Sequence, residues 1–289
     1  MRLGKALTLF FFLLLAGVAA YLSPMAPALS RWGAWPQMPP QKVNFVIAGV
    51  TPKYVGYHQA APEDYSGLTD TLLIAQLEPK TKTVRLLSIP RDTRVNVMGY
   101  GWGKINGANV HGGPQMLLNT LENFTGLKLE GYAYLSLEAL RDVTDALGGV
   151  QINVPIAMKY QDTAAKLSID LKPGLQTLNG QQLEGFTRFR NDGMGDIGRV
   201  ARQQDMFKAM TTKLRSPEGL WRFPRAAAAL EQNVKADLGR EDVAHLLAML
   251  LARPQLETYT VPGDFARFGG RSYWEPNRGA LEALIREKF

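Results

Sequence analysis

The sequence predicts an α/β protein, a three-layer α/β/α sandwich around a central mixed sheet, preceded by an N-terminal transmembrane helix. Three observations carry this. Strand-like apolar runs alternate with stretches of helical periodicity over most of the 289 residues. Two of the apolar runs flank one short turn-like stretch, which places an antiparallel pair inside the sheet. At 46% hydrophobic and 20% charged, the chain has the composition to bury one large core.

Taken in order, Arg2 and Lys5 precede an unbroken apolar run over residues 6–22. At about 1.5 Å per helical residue this run nearly spans a bilayer core, and the two cations place residues 1–5 on the cytoplasmic side. Ala26-Pro27-Ala28 is a loose small-residue cleavage pattern, so a signal peptide stands as the alternative to an anchor. Under either reading the remainder is exported. Residues 23–41, with Pro24, Pro27, Pro36, Pro39 and Pro40, read as a stalk, and residues 42–289 as the extracytoplasmic domain.

Within that domain, residues 43–50 form a continuous apolar run and are predicted as a buried strand. Residues 71–77 and 84–89, separated by Glu78-Pro79-Lys80-Thr81-Lys82-Thr83, are predicted as a hairpin. The stretch 100–113 holds five glycines and suits a loop approaching a ligand, with Pro114 at a favourable first helical position of a helix to 124. Leu137, Leu140, Val143, Thr144 and Leu147 mark a second helix stopped by Gly148-Gly149. A strand at 150–154 and a polar connection follow. Asn179-Gly180 opens a short helix, and a helix is predicted over about 197–214. Further helices near 224–232 and 241–250, a strand at 257–261 and a helix after Pro276 complete the reading.

Composition excludes several chemistries. With no cysteine there is no disulfide framework, thiolate nucleophile or Cys-ligated metal, and His58, His111 and His245 are too scattered for a His-rich zinc site. A net charge of +7 and pI near 9.5 point to anionic partners. Nucleic acid is disfavoured among these, because an exported domain rarely meets it.

Asp70 precedes the first hairpin strand and Asp92 follows the second, so the hairpin brings both to one sheet end. Converging carboxylates without a compensating charge repel each other, which suits a hard cation such as Mg²⁺; alternatively each Asp caps a turn. In an extended segment, Arg188 and Arg190 project to one face, while Arg199, Arg202 and Gln203 at i, i+3 and i+4 share one face of a helix. Guanidinium forks pair bidentately with phosphate, so these residues form either an anion site or a solvated basic surface. Lys104, from the Gly-rich loop, is a further candidate cation or a plain loop lysine.

In this order, Thr69-Asp70-Thr71, Ser88-Ile89-Pro90-Arg91-Asp92-Thr93, Lys104-Ile105-Asn106, Asp145-Ala146-Leu147-Gly148-Gly149-Val150, Leu178-Asn179-Gly180-Gln181-Gln182, Arg188-Phe189-Arg190 and the run from Gly195 to Gln204 resemble the LytR-CpsA-Psr family of cell-wall proteins. The resemblance implies a membrane-anchored, Mg²⁺-dependent phosphotransferase of α/β/α fold. Its expected reaction moves a glycopolymer, such as teichoic acid or capsule, from an undecaprenyl pyrophosphate carrier to a peptidoglycan sugar hydroxyl. Carried over by position, it implies Asp70 and Asp92 on the metal side and Arg91 with them as catalytic residues. Arg188, Arg190, Arg199 and Gln203, joined by Lys104 and Arg202, would bind the pyrophosphate. Many members have Arg before the Ser/Thr-Asp pair, whereas this chain has Leu68; Arg94 or Lys104 is the candidate substitute. A lipid-binding regulatory protein without catalysis and a lipid pyrophosphatase are the alternatives.

Overall fold

The structure, a computed structural model, describes residues 35–50, 54–55, 59–60, 65–162, 167–191 and 195–289. The expected anchor at 6–22 and the stalk up to residue 34 lie outside the described residues, among which no helix is long and apolar enough to cross a membrane. Residues 35–41 run without regular structure along the domain: Gln37 N donates to the Ala244 carbonyl at 3.2 Å, and Met38 packs against a cluster containing Val43 and Phe45.

The elements in chain order begin with β1 (Val43–Val50), β2 (Thr69–Glu78) and β3 (Thr83–Ser88). The predicted hairpin is present, with Leu73 opposite Ser88, but Asp70 lies inside β2 and not ahead of it. Then come β4 (Arg94–Val97), β5 (Gly101–Lys104) and α1 (Ala108–Thr125). The predicted Gly-rich loop is in part a strand and in part helix. Helical backbone already begins at Ala108 and is broken by a kink at Gly112 and Gly113, after which Pro114 starts the straight portion. β6 (Gly131–Leu135), α2 (Leu137–Ala146) and β7 (Val150–Val154) follow.

The expected polar connection contains three strands, β8 (Met158–Asp162), β9 (Leu167–Leu171) and β10 (Gly174–Leu178). Leu167, Ile169 and Leu171 point inward in strict alternation with Ser168 and Asp170, a period-2 signal diluted by the lysines and glycines around it. Next are α3 (Gly180–Arg188), α4 (Gly195–Arg215), α5 (Pro217–Gln232), β11 (Val234–Asp237), α6 (Arg240–Leu251), β12 (Gln255–Thr260), β13 (Gly263–Phe268), β14 (Arg271–Pro276) and α7 (Arg278–Lys288).

Six strands form the central sheet in the order β11–β6–β1–β2–β3–β12. The pairs β1/β6 and β3/β12 are parallel and the other three antiparallel, so the sheet is mixed as expected. Because side chains alternate along a strand, β1 serves both faces. Val46, Ala48 and Val50 meet Leu117 and Leu121 of α1 and Leu281 of α7, while Val43 and Phe45 meet Met249 of α6. A second apolar cluster joins β7/β10 and β8/β9 to Leu183 and Phe186 of α3 and Met206 of α4.

Candidate functional site

Hairpin geometry determines where the site lies. Thr69 and Asp70 begin β2, and β3 ends at Ser88, so Ile89-Pro90-Arg91-Asp92 leaves the sheet beside the residue that enters it. Arg91 then fills the gap between the carboxylates: its Nη1 donates to Asp70 Oδ1 at 2.5 Å, and its Nε lies 3.8 Å from Asp92 Oδ1. The carboxylates therefore do converge, but a guanidinium compensates them. Two further cations close in, with Lys104 Nζ 3.0 Å from Asp92 Oδ1 and Arg199 Nη1 4.0 Å from Asp70 Oδ1. Among the described residues Arg91, Lys104 and Arg199 thus converge on Asp70 and Asp92, a concentration of donors of the kind that takes an anion with several oxygens.

Helix α4 delivers Arg199 because two glutamines pin it to the sheet. Gln203 Nε2 donates to Thr71 Oγ1 at 2.6 Å on β2, and Gln204 Nε2 donates to Ser88 Oγ and Thr260 Oγ1 at 2.9 and 3.0 Å on β3 and β12. The predicted face of α4 is real, and Arg199, Arg202 and Gln203 are all buried. Arg202, however, donates Nη2 to the Phe189 carbonyl, so its contact here is with the backbone that follows α3.

The segment 186–190 is not extended. Arg188 is the last residue of α3, Phe189 caps it, and Arg190 lies exposed beyond, so strand alternation does not align the two arginines. The capping box at Asn179 and Gln182 and the burial of Leu183 and Phe186 explain why helix wins. Arg188 Nη1 donates to Glu184 Oε1 at 2.6 Å, and Arg141 Nε lies 3.2 Å from the other oxygen of that carboxylate. Glu184, buried between two arginines, was not singled out in the sequence; its i, i+4 spacing to Arg188 was the available signal.

Also missed were the groups that hold the strand entry. Asn109 Nδ2 donates to the carbonyls of Tyr65 and Gly67 at 2.9 and 2.7 Å, and the Tyr134 hydroxyl donates to Asn109 Oδ1 at 2.9 Å. Burial raises the Tyr134 hydroxyl above the ordinary tyrosine range, helped by neighbouring Tyr132, which keeps it a donor. Leu68, next along, is exposed. Arg94 does not take its place beside Asp70: its guanidinium lies 4.5 Å from the Trp102 ring and 4.1 Å from the Phe268 ring, with Nη1 3.5 Å from Glu275 Oε2. Among the described residues no group of three or more His, Asp or Glu side chains gathers as a metal cage. Asp70 and Asp92 are nonetheless the kind of pair that Mg²⁺ uses, since it takes one or two carboxylates together with phosphate oxygens. A surface groove of about 520 Å³ between α2 and α5, lined in part by Asp142, Asp145 and Arg225, shares no residue with this cluster.

Residues 36–288, which include every residue of this cluster, match the LytR_cpsA_psr family. The chain belongs to that family. Among relatives, the polyisoprenyl-teichoic acid–peptidoglycan teichoic acid transferase TagU of Bacillus subtilis is 30% identical over 224 residues, 76% of this chain and 71% of that protein. The probable cell wall biosynthesis protein LcpB of Corynebacterium glutamicum is 36% identical over 225 residues, 76% of this chain and 53% of LcpB, so the chain spans about half of that relative. The crystal structure of TagV from Bacillus subtilis superposes with a TM-score of 0.72 at 26% identity, covering 86% of this chain and 96% of that one. The mixed α/β architecture is thus that of the LytR_cpsA_psr family.

Proposed function

We propose that this family member is a Mg²⁺-dependent phosphotransferase that moves a glycopolymer from an undecaprenyl pyrophosphate carrier to a sugar hydroxyl of peptidoglycan, at the outer face of the cell membrane. The observation that carries the proposal is Arg91 held between Asp70 and Asp92, with Arg199 and Lys104 completing a cationic site. The name of TagU as a teichoic acid transferase supports the reaction class.

Phosphoryl transfer needs positioning and charge stabilisation more than covalent chemistry from the protein. Arg91 and Arg199 would turn part of their donor capacity from Asp70 onto the pyrophosphate, and Lys104 would add a point charge beside Asp92. Arg188 and Arg190 would meet the same anion from the end of α3, and Gln203 would orient one of its oxygens. Asp70 and Asp92 would hold Mg²⁺, which supplies further neutralisation of the phosphate oxygens. The acceptor oxygen forms a new bond to the phosphorus next to the glycopolymer, the bond to undecaprenyl phosphate breaks, and the oxygen of Asp70 or Asp92 that is not turned to Mg²⁺ takes the hydroxyl proton.

Leu68 favours a second reading, retention of the lipid without transfer, because the side chain before Thr69-Asp70 is exposed and carries no charge. The full chain in detergent, incubated with Mg²⁺, a lipid-pyrophosphate oligosaccharide and peptidoglycan, separates the readings. Ligated oligosaccharide is the expected product. Released phosphosugar would show a pyrophosphatase, and bound, unchanged lipid a regulatory protein. Arg91→Ala is expected to lower the ligation rate by about 100-fold or more while the protein stays folded, with a melting temperature lowered by the loss of the charge between Asp70 and Asp92.

A further inference from the structure

We infer that the exposed surface where two outlying hairpins, β4–β5 and β13–β14, meet is the binding site for the acceptor glycan, with the open faces of Trp102 and Phe268 as its stacking surfaces. In the β4–β5 ribbon Arg94 pairs with Lys104 and Asn96 with Trp102, and strand alternation places these four on one face while Val95 and Val97 fill the core. That face meets the side of β13–β14 bearing Phe268, Tyr273 and Glu275. Arg94 lies between the Trp102 and Phe268 rings and pairs with Glu275, and Lys104 Nζ sits 5.7 Å from the Tyr273 ring.

The arginine covers only part of each ring, since Trp102 stays 59% exposed and Phe268 40% exposed. Large aromatic surface left open beside fixed polar groups marks a binding surface. It is also continuous with the candidate transfer site. Thr93 bridges to Trp274, Trp274 N donates to the Asp92 carbonyl at 3.0 Å, and Lys104 Nζ reaches Asp92 Oδ1 at 3.0 Å.

A sugar chain fits this chemistry. The C–H faces of a pyranose pack on aromatic rings, and its ring hydroxyls take hydrogen bonds from groups such as Asn96 and to groups such as Glu275. A bilayer surface fits less well: Arg271 shares the hairpin face with Phe268, but so do Asp264 and Glu275, and Glu275 already pairs with Arg94, so the face presents mixed charge and no cluster of cations for anionic headgroups. The assignment rests on the proposed transfer reaction for the identity of the glycan as acceptor, because a chain laid along this surface would present a hydroxyl beside Asp92.

The test uses the full chain in detergent with two probes titrated separately: peptide-free peptidoglycan glycan strands and farnesyl pyrophosphate. Trp102→Ala combined with Phe268→Ala is expected to weaken glycan binding about tenfold or more and to leave farnesyl pyrophosphate binding unchanged. Trp102→Tyr and Phe268→Tyr, which keep an aromatic ring, are expected to retain glycan binding. Wild-type glycan affinity in the double alanine variant would overturn the assignment. So would strong quenching of Trp102 fluorescence by brominated phosphatidylglycerol in nanodiscs, identified by its loss in Trp102→Phe, since that result gives the surface to the bilayer. A wild-type protein that binds the glycan but not farnesyl pyrophosphate would support the glycan surface while removing the carrier reading.

Discussion

Arg91 is the residue on which the site's electrostatics turn, because one guanidinium serves two carboxylates through different nitrogens. Lysine cannot reproduce this, since its ammonium is a single compact charge without a fork. Arg91→Lys is therefore expected to lose at least tenfold in lipid-pyrophosphate ligation, against little change in thermal unfolding, with both measured on the same preparation. The neighbouring position makes the converse case. Leu68 is exposed immediately before Thr69-Asp70, so an arginine there has room and adds a donor beside the carboxylate pair. Leu68→Arg should tighten farnesyl pyrophosphate binding by roughly fivefold, about 1 kcal/mol, less than a buried charged hydrogen bond because solvent screens the site. Isothermal titration at low and high salt checks it, the gain shrinking as salt rises.

At the scale of elements, α3 reaches its place through a contact that only glycine allows. A Cβ on Gly180 would lie 2.4 Å from the Arg141 carbonyl oxygen and 2.6 Å from Arg141 Cα, backbone atoms of α2 that cannot swing aside. Gly180→Ala must push α3 from α2 and disturb the Glu184 carboxylate that Arg141 and Arg188 share. Overpacking of this kind costs about 1–3 kcal/mol, so a lower melting temperature is expected, together with weaker pyrophosphate binding if Arg188 serves the site. The same element marks the limit of what was legible in the sequence. Strong periodicities read correctly: β1, the β2–β3 hairpin and α2 fall where the apolar spacing puts them, and α4 and α7 lie where start signals and Pro276 place helices. The segment around Arg188 did not, because alternation of Arg-Phe-Arg looks like a strand locally, while the helix is decided by the cap at Asn179 and by burial of Phe186 and Phe189 against strands β7–β10. Of those strands β7 lies where it is expected, while β8–β10 were hidden, since short ribbons with Lys, Gln and Gly on their outer faces give little hydropathy contrast. In the site, the convergence of Asp70 and Asp92 followed from hairpin topology alone. That Arg91 stands between them, and that Arg94 is drawn away by Trp102 and Phe268, depends on contacts between residues far apart in the chain.

For the whole molecule, the site lies where two apolar cores are joined by one helix. The first core covers the central sheet with α1 and α7, the second holds β7–β10 with α3, and α4 contributes Met206 to the second while Gln203 and Gln204 grip the sheet. Arg199 therefore reaches Asp70 only when both cores are packed. Phe186 tests this, being fully buried in the second core and on the helix that ends in Arg188. Phe186→Ala is expected to cost about 3–5 kcal/mol by lost burial and the cavity left behind. If α4 transmits that loss, pyrophosphate affinity falls even at temperatures where the variant stays folded, and the fall is suppressed by Phe186→Leu, which refills most of the volume. Denaturant titration followed by both tryptophan fluorescence and farnesyl pyrophosphate binding makes the comparison. Unchanged affinity in folded Phe186→Ala would mean that the sheet alone positions Arg199 and that the second core serves stability only.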